Sequence, residues 1–332
     1  MKVLSLSVIF FIMTINPVLS MDGEVVNNNA SEIKVQKEET TEINKVETLK
    51  TLGYFHEDTK QQDINKRNAI IRFQSEHNLT VDGIYGPQSE TVLSALVNGS
   101  ERRYLDVIDQ PPTKGKWMTI NKTKRILTLY EGDKVMKKYP VAQGKEPGLT
   151  PEGKFTIVNK LVNPGWGGAG IAQPVKGGSP NNPLGYRWMG INHGGGGSYG
   201  IHGNNNPRSI GTNASLGCVR MINSDVAELF DIISLKTPVW IGTHEKLKEW
   251  GVDQKSYLGY IEEIRLAEEK ATKEKQAIKQ AEIEKAKQEE AMKQAEIEKV
   301  LQEKEESNKQ IEEPENIPTI KEYLEYINGI QH

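Results

Sequence analysis

Residues 199–221 read YGIHGNNNPRSIGTNASLGCVRM and contain the single cysteine of the chain, Cys218. His202 lies upstream of this cysteine. Arg220 lies two positions downstream, which places it on the same face as Cys218 if the segment is a β-strand. A thiol with an ordinary pKa near ~8.5 needs a base or a positive neighbour to react as a thiolate at neutral pH. Histidine is the usual partner because it can take up and return a proton. The stretch therefore predicts that His202 and Cys218 meet at the ends of neighbouring strands as base and nucleophile.

The glycine before the cysteine adds to this prediction. Gly217 lets the backbone approach a substrate closely, and N–H groups near Gly217 and Cys218 can hold an oxyanion. Each residue alone has a simpler interpretation. Cys218 would be an inert buried thiol, His202 a hydrogen-bonded structural histidine, and Arg220 the ion-pair partner of a carboxylate such as Asp225. Their combination in one stretch favours catalysis.

The first 20 residues resemble a secretory signal peptide. Lys2 precedes an apolar stretch, and Val18-Leu19-Ser20 is a small-residue cleavage site. The stretch is shorter than the ~20 residues that span a bilayer, which favours a cleaved signal over an uncleaved anchor. Exported proteins that use cysteine for stability carry it in pairs. A single cysteine in an exported chain is therefore either reactive or inert.

Composition bounds the rest of the chain. It has 332 residues and a net charge of −3, and this length predicts two folded domains. The near balance of charge provides no basic field, so we expect no nucleic-acid partner. Residues 21–45 are rich in Asn, Glu, Lys and Thr and predict a disordered linker.

Residues 46–98 predict a small module of three helices, because apolar residues recur there at helical spacing. The turn sequence DGIYGP at residues 82–87, followed by Ser89-Glu90-Thr91, resembles the signature of the three-helix peptidoglycan-binding module. A core this small favours docking over catalysis. A generic helical bundle is the alternative.

Residues 117–242 consist of short β-prone segments separated by turns, at 117–120, 125–130, 134–141 and 154–158. Closely spaced short strands predict an antiparallel sandwich or barrel. One helix interrupts them, with Asn223 or Ser224 as its expected cap. Its apolar face comprises Val226, Leu229, Phe230 and Ile233. Residues 237–241 then predict a closing strand.

Residues 245–313 form a charged helical run, and the sequence KQAEIEK occurs in it at 279–285 and again at 293–299. A strong coiled coil needs apolar residues at both heptad seams, but both seams here mix apolar, polar and charged residues. We therefore expect a solvated spacer helix, with a weak coiled coil as the alternative. The tail, residues 314–332, contains a short amphipathic helix with an apolar face of Ile320, Tyr323, Leu324 and Ile327. The sequence leaves open whether one of these helices binds a protein partner.

The pattern His-Gly, a short loop and Ser-x-Gly-Cys-x-Arg resembles the catalytic domain of the L,D-transpeptidases, the YkuD domain. The segments TPEGKF at 150–155 and NPLGYRWMG at 182–190 agree with the same family, so the resemblance runs from about 117 to 242. It implies a multi-domain chain with a mainly-β, YkuD-like sandwich or barrel between the helical module and the charged helix. In this family the histidine that matches His202 is the base, and the cysteine that matches Cys218 is the nucleophile. The substrate-shaping positions of the family match Tyr199, Gly203, Ser215, Gly217 and Arg220.

The resemblance also implies a reaction. Cys218 attacks the carbonyl after the third residue of a tetrapeptide stem, D-Ala leaves, and the amine of a second stem attacks the thioester to form a 3-3 cross-link. Water in place of the amine would give L,D-carboxypeptidase activity. Peptidoglycan is then the partner, no metal or organic cofactor is needed, and the location is the cell wall or the extracellular or periplasmic space. The glycine-rich segments 165–170 and 194–197 are candidate mobile lids over the donor.

One position departs from the family pattern. Many members carry histidine before the Gly-Cys pair, where this chain has Leu216, so a proton relay through a second histidine is absent. Two alternatives stay open. One is a cysteine peptidase that only trims stem peptides, and the other is a non-catalytic wall-binding scaffold.

Overall fold

The computed structural model describes residues 45–311 and 319–329. The expected signal peptide, residues 21–44 of the expected linker and the ends of the tail lie outside the described residues. The chain divides into two compact units. Of the described residues, 45–86 and Ile108–Asp253 form one unit, and Pro87–Val107 forms the other with residues 254–311 and 319–329.

The helices are α1 (residues 45–51), α2 (Gln62–Glu76), α3 (Pro87–Val97), α4 (Asn223–Ile232), α5 (His244–Glu249), α6 (Tyr257–Ile311) and α7 (Ile320–Asn328). The strands are β1 (Asp106–Ile108), β2 (Lys116–Asn121), β3 (Ile126–Glu131), β4 (Lys134–Gly144), β5 (Gly153–Val162), β6 (Arg187–Ile191), β7 (Gly200–His202), β8 (Asn213–Ser215), β9 (Val219–Met221), β10 (Pro238–Gly242) and β11 (Val252–Gln254). Short 3-10 turns occupy His193–Gly196 and Pro207–Ser209.

The main sheet closes into a barrel. Its strands are neighbours in the order β3-β2-β10-β5-β6-β7-β9-β4. The last of these, β4, also pairs with the first, β3, which closes the barrel, and β8 pairs with β4 at the edge. The expected mainly-β domain is confirmed, with a barrel in place of a sandwich. The sheet is mixed and not antiparallel throughout, because β2 with β10, β7 with β9 and β4 with β8 run parallel. Strands joined by long connections can pair in parallel or antiparallel orientation, and the spacing of strands along the chain does not reveal which orientation occurs.

Alternation along β2 shows how the barrel is covered on both sides. Met118 and Ile120 lie in the main core, which α4 completes with Val226 and Leu229. On the opposite face, Trp117 stacks on Tyr130 with ring centroids 4.5 Å apart, and Trp240 and Leu247 cover the pair. Residues two apart share a face of a strand, and both faces of β2 are buried because α5 packs outside the barrel.

Helix α2 of the N-terminal module packs directly on the barrel. Ile71 and Val81 share a buried cluster with Ile126, Ala142, Ile210 and Ile222. Beside it, Arg72 binds Asp58 at 2.8 Å and Asp225 of α4 at 2.7 Å. The sequence predicts a separate three-helix module, whereas helices α1 and α2 belong to the compact unit that contains the barrel.

Two helix starts differ from the sequence expectation. The N-cap of α4 is Ile222, whose apolar side chain makes no cap hydrogen bond. The Asn223 side chain, one of the two expected caps, binds the backbone of Asn204 instead. The charged run does not begin as one helix at residue 245. Helix α5 ends at Glu249, Gly251 adopts a left-handed conformation with φ of 84°, β11 follows, and α6 begins at Tyr257.

The long helix and the tail helix are present as expected. From Arg265 to residue 308 every side chain of α6 is exposed, and ion pairs between neighbouring turns include Arg265 with Glu269 and Lys299 with Glu303. Helix α7 starts with a capping box formed by Thr319 and Glu322. Within residues 45–311 and 319–329, no helix combines the length and apolarity needed to cross a bilayer.

Candidate active site

Strands β7 and β9 bring the sequence motif together because they are parallel neighbours in the barrel. Ile201 pairs with Val219, and His202 pairs with Arg220. Side chains two positions apart share a face, so His202, Arg220 and the preceding Cys218 lie on one side of the sheet. All three line a cleft of about 900 Å³. The structure thus places His202, at the end of β7, and Cys218, just before β9, in one cleft.

His202 is held in one orientation and one tautomer. The ring is buried, and its Nδ1 lies 2.7 Å from the carbonyl oxygen of Gly203. A carbonyl only accepts hydrogen bonds, so Nδ1 carries the proton and Nε2 is left as the basic nitrogen. Burial lowers the pKa of His202 from 6.5 to about 4, with a smaller contribution in the same direction from the charge of Arg220. The hydrogen bond to Gly203 raises the pKa but only partly opposes these effects.

Trp188 forms the wall behind the histidine, a role that the sequence does not reveal. Its ring stacks on His202 with centroids 5.7 Å apart and an interplanar angle of 19°. Its Nε1 donates to the side-chain oxygen of Asn159 at 3.0 Å. A Cβ at Gly200 would lie 2.8 Å from the indole, so glycine is required there. The only sequence signal for this wall is a glycine inside a strand, which often marks a close approach.

The Cys218 side chain is half-buried, and Sγ lies 3.5 Å from the carbonyl oxygen of Ser198. Burial raises the pKa of the thiol, while the N–H of Gly200 and the charge of Arg220 oppose the rise. Because the pKa of His202 is also lowered, the resting pair at neutral pH is a thiol and a neutral imidazole. A thiol beside a neutral imidazole can react by transferring its proton during attack, without first forming a thiolate beside an imidazolium.

Two hydroxyl side chains hold the turn before Cys218. Ser215 accepts a hydrogen bond from the N–H of Gly217 at 3.0 Å and donates to the carbonyl of Cys218 at 2.6 Å. Thr150 donates to the carbonyl of Gly217 at 2.9 Å. The N–H of Gly217 is therefore engaged within the turn. The expectation that N–H groups near Gly217 and Cys218 hold an oxyanion stays a prediction, and of the two the N–H of Gly217 already has a partner.

Gly217 itself has a steric reason to be glycine. Its φ is 136°, and a Cβ there would lie 2.5 Å from the carbonyl oxygen of Leu149 and 2.8 Å from the ring of Tyr199. Tyr199 thus packs behind the turn and meets the ring of His193 at 4.7 Å. Tyr199, Gly203 and Gly217 support the site from behind and are not part of the cleft lining, whereas Ser215 and Arg220 are.

Arg220 does not form the ion pair that its simpler interpretation suggests, because Asp225 binds Arg72. Within the described residues its Nε is buried without a hydrogen-bond partner. Lys145 is the other cationic side chain of the cleft, and none of the described lining residues is Asp or Glu. The cleft is therefore positive and suited to a ligand that carries carboxylates.

The rest of the lining is mainly apolar and includes the segments expected to be lids. Residues from both 165–170 and 194–197 contribute, together with Leu161, Trp166 and Ile171. Leu216, which stands where many family members have histidine, is half exposed at the cleft.

The chain is similar to known proteins over both the barrel and the N-terminal module. Residues 115–241 match the family YkuD, described as "L,D-transpeptidase catalytic domain", and residues 46–93 match the family described as "Putative peptidoglycan binding domain". The chain is 38% identical over 153 residues to "Putative L,D-transpeptidase YqjB" of Bacillus subtilis, covering 45% of this chain and 85% of that protein. It is 36% identical over 159 residues to "Putative L,D-transpeptidase YkuD" of Bacillus licheniformis, covering 48% and 80%.

A solved structure of the L,D-transpeptidase from Xylanimonas cellulosilytica is 22% identical, covers 54% of this chain and 80% of that chain, and superposes with a TM-score of 0.39. With a family match over the barrel, these identities and this coverage, the chain belongs to the L,D-transpeptidase family.

Proposed function

We propose that this protein is a peptidoglycan L,D-transpeptidase that works through a covalent thioester on Cys218. One observation carries the proposal. A histidine whose Nδ1 is tied to Gly203 presents its basic Nε2 in the same positive cleft as the only thiol of the chain. Membership of the family supports the reaction class, and the site supports the assignment of roles.

The first half-reaction forms the thioester. The Cys218 thiol transfers its proton to Nε2 of His202 while its sulfur attacks the carbonyl of the third stem residue. The C–N bond to the terminal D-Ala then breaks, and His202 returns the proton to the leaving amine. The donor tetrapeptide becomes a tripeptide thioester, and free D-Ala is released.

The second half-reaction consumes the thioester. The amine of a neighbouring stem attacks the same carbonyl, the C–S bond breaks, and the amine proton passes through His202 to the sulfur. The product is a 3-3 cross-link, and the thiol is regenerated. Water in place of the amine gives a free tripeptide, which is the carboxypeptidase outcome.

The transpeptidase proposal also assigns a role to each of the other segments. Residues 46–98 dock the enzyme on peptidoglycan, residues 117–242 form the catalytic domain, and residues 1–20 direct export to the cell wall or periplasm. Arg220 and Lys145 attract the carboxylates of the stem. The solvated part of α6 is a spacer, with a weak coiled coil as its alternative form.

Mass spectrometry of the full chain incubated with disaccharide-tetrapeptide tests the reaction. We expect a dimer that has lost one D-Ala, and no product from Cys218→Ala. His202→Gln should lose activity, whereas His193→Gln, a matched change at a nearby exposed histidine, should retain it. A carbapenem adduct on Cys218 is a second expected result.

The alternatives give different masses. A monomer that has lost D-Ala, with no dimer at any acceptor concentration, would point to a peptidase that only trims stems. Absence of any product would point to a non-catalytic wall-binding scaffold. Equal activity from Cys218→Ala would overturn the assignment of the nucleophile.

A further inference from the structure

We propose that Thr150 is a positioning residue that aims the backbone N–H of Cys218 at the reacting carbonyl, so that this N–H stabilises the oxyanion. The proposal rests on the proposed function, because it concerns the acylation of Cys218. Thr150 precedes β5 and lies far from the motif in sequence, and its side chain does not line the cleft.

The hydrogen bonds of Thr150 have a defined direction. Its side chain is buried, and Oγ1 lies 2.8 Å from the N–H of Gly144 and 2.9 Å from the carbonyl oxygen of Gly217. The N–H of Gly144 can only donate, and a hydroxyl has a single proton to donate. Thr150 therefore accepts from Gly144 and gives its own proton to Gly217.

Peptide geometry transmits this contact to the nucleophile. The carbonyl of Gly217 and the N–H of Cys218 belong to one planar trans peptide group, in which they point in opposite directions. Thr150 holds the carbonyl on the side of the turn that is away from the cleft. The N–H of Cys218 consequently faces the cleft, where the Cys218 side chain also lies.

The neighbouring peptide groups of the turn are held by Ser215. Its hydroxyl accepts from the N–H of Gly217 and donates to the carbonyl of Cys218. With Thr150 on the carbonyl of Gly217, the N–H of Cys218 is the group that remains for a ligand among the backbone groups of Gly217 and Cys218. Preorganised N–H groups of this kind stabilise the charge that develops on a carbonyl oxygen during acyl transfer.

A glycine at position 217 makes the anchor necessary. Glycine has access to far more backbone conformations than other residues, so the 217–218 peptide can rotate once its carbonyl is released. The glycine cannot be replaced to stiffen the turn, because a Cβ would collide with Leu149. Orientation of this peptide thus depends on a side chain from outside the motif.

The test compares Thr150→Val, which removes the hydroxyl at nearly constant shape, with Thr150→Ser, which keeps it. Thr237→Val is the matched control, since Thr237 is also buried and its hydroxyl binds the carbonyl of Ser234. Each full-length variant is assayed for kcat and KM with disaccharide-tetrapeptide. Each is also assayed for acylation of Cys218 by p-nitrophenyl acetate and for alkylation by iodoacetamide.

Ester acylation passes through an oxyanion, whereas alkylation does not. For Thr150→Val we expect kcat and the ester acylation rate to fall on the order of 10²-fold, with KM and the alkylation rate unchanged. Thr150→Ser and Thr237→Val should behave like the wild type. Because p-nitrophenyl acetate needs no peptidoglycan, the ratio of acylation to alkylation tests Thr150 even if the wild type fails to release D-Ala, a result that would count against the proposed function alone.

Two outcomes overturn the proposal. One is a Thr150→Val variant whose ratio of acylation to alkylation equals that of the wild type. The other is an alkylation rate that falls as far as the acylation rate, because this would mean that the hydroxyl maintains the whole site and does not aim one N–H.

Discussion

Arg72 and Arg265 each bind two carboxylates, but their surroundings differ. Arg72 joins Asp58 and Asp225 in the unit that contains the barrel, and its side chain is 9% exposed. Arg265 joins Glu262 and Glu269 on α6, and its side chain is 51% exposed. The chemistry is the same in both places. Water competes for every partner of Arg265, whereas the partners of Arg72 are nearly removed from water.

The pKa values alone do not separate the two sites. Burial lowers the pKa of Arg72, but Asp225 and Asp58 outweigh it, so the net shift is upward. The pKa of Arg265 is also raised, through its hydrogen bond and charge interaction with Glu262 and then by Glu269. What differs is the cost of breaking the pair, which is high only where the remaining charge stays buried. We therefore expect the ion pair between Arg72 and Asp225 to stabilise the packing of α2 against α4, and the ion pairs of Arg265 to contribute little to stability.

The largest expected effect is that of Arg72→Leu. It leaves Asp58 and Asp225 buried without their cation, and we expect a loss of about 3–5 kcal/mol in the free energy of unfolding. Chemical denaturation of the full chain, followed by tryptophan fluorescence, measures this value. A loss below about 1 kcal/mol would mean that water reaches both carboxylates. The ion pairs of Arg72 would then contribute no more to stability than the exposed pairs of Arg265.

Removing apolar contacts at the same place should follow the same rule. Ile71→Ala opens a cavity where α2 meets the barrel, and we expect a loss of about 2–5 kcal/mol in the same denaturation experiment. Ile278 on α6 is 61% exposed, so Ile278→Ala is the matched control and should leave the transition unchanged. Equal effects of the two substitutions would contradict the burial difference.

The buried His202 predicts a dependence of stability on pH. Its pKa is lowered from 6.5 to about 4 by burial. Above pH 6.5 the histidine is neutral in both folded and unfolded chains. As the pH falls from 6.5 to about 4, the unfolded chain binds a proton that the folded chain does not, so stability decreases by roughly 3 kcal/mol. We expect His202→Gln to lack this part of the acid sensitivity, as measured by denaturation between pH 7 and pH 4. Identical profiles for the variant and the wild type would refute the buried neutral histidine.

The smallest expected effect is that of Arg265→Leu. Both its ion pairs are exposed, and exposed pairs contribute little to stability. We expect no measurable shift of the denaturation midpoint for the full chain and, at most, a small loss of helical signal in circular dichroism. A shift as large as that of Arg72→Leu would show that α6 is covered in solution, which would favour the coiled coil over the spacer.

Much of the architecture could be predicted because it depends on local patterns. Period-2 alternation located β2 to β5 within a few residues, and helical spacing located α2, α4, α6 and α7. The errors lie where a distant contact decides. Asn223 is not the cap of α4 because Asn204 takes its side chain. The helix that begins before residue 245 does not continue through residues 250–256, where Trp250 instead packs against Trp240 from the barrel, with ring centroids 6.1 Å apart.

The candidate site divides in the same way. From the sequence alone it follows that the chain has one thiol, that glycine precedes it and that an arginine follows it at strand spacing. These are properties of neighbouring positions, and the period of a strand is enough to place Cys218 and Arg220 on one face, whereas His202 joins them only through the pairing of β7 with β9. Only the folded chain shows that Trp188 stacks on His202, that Asp225 pairs with Arg72 and not with Arg220, and that Thr150 binds the carbonyl of the peptide before Cys218. Those contacts join residues far apart in the chain, and they exist only because the barrel closes and brings separate strands and loops together.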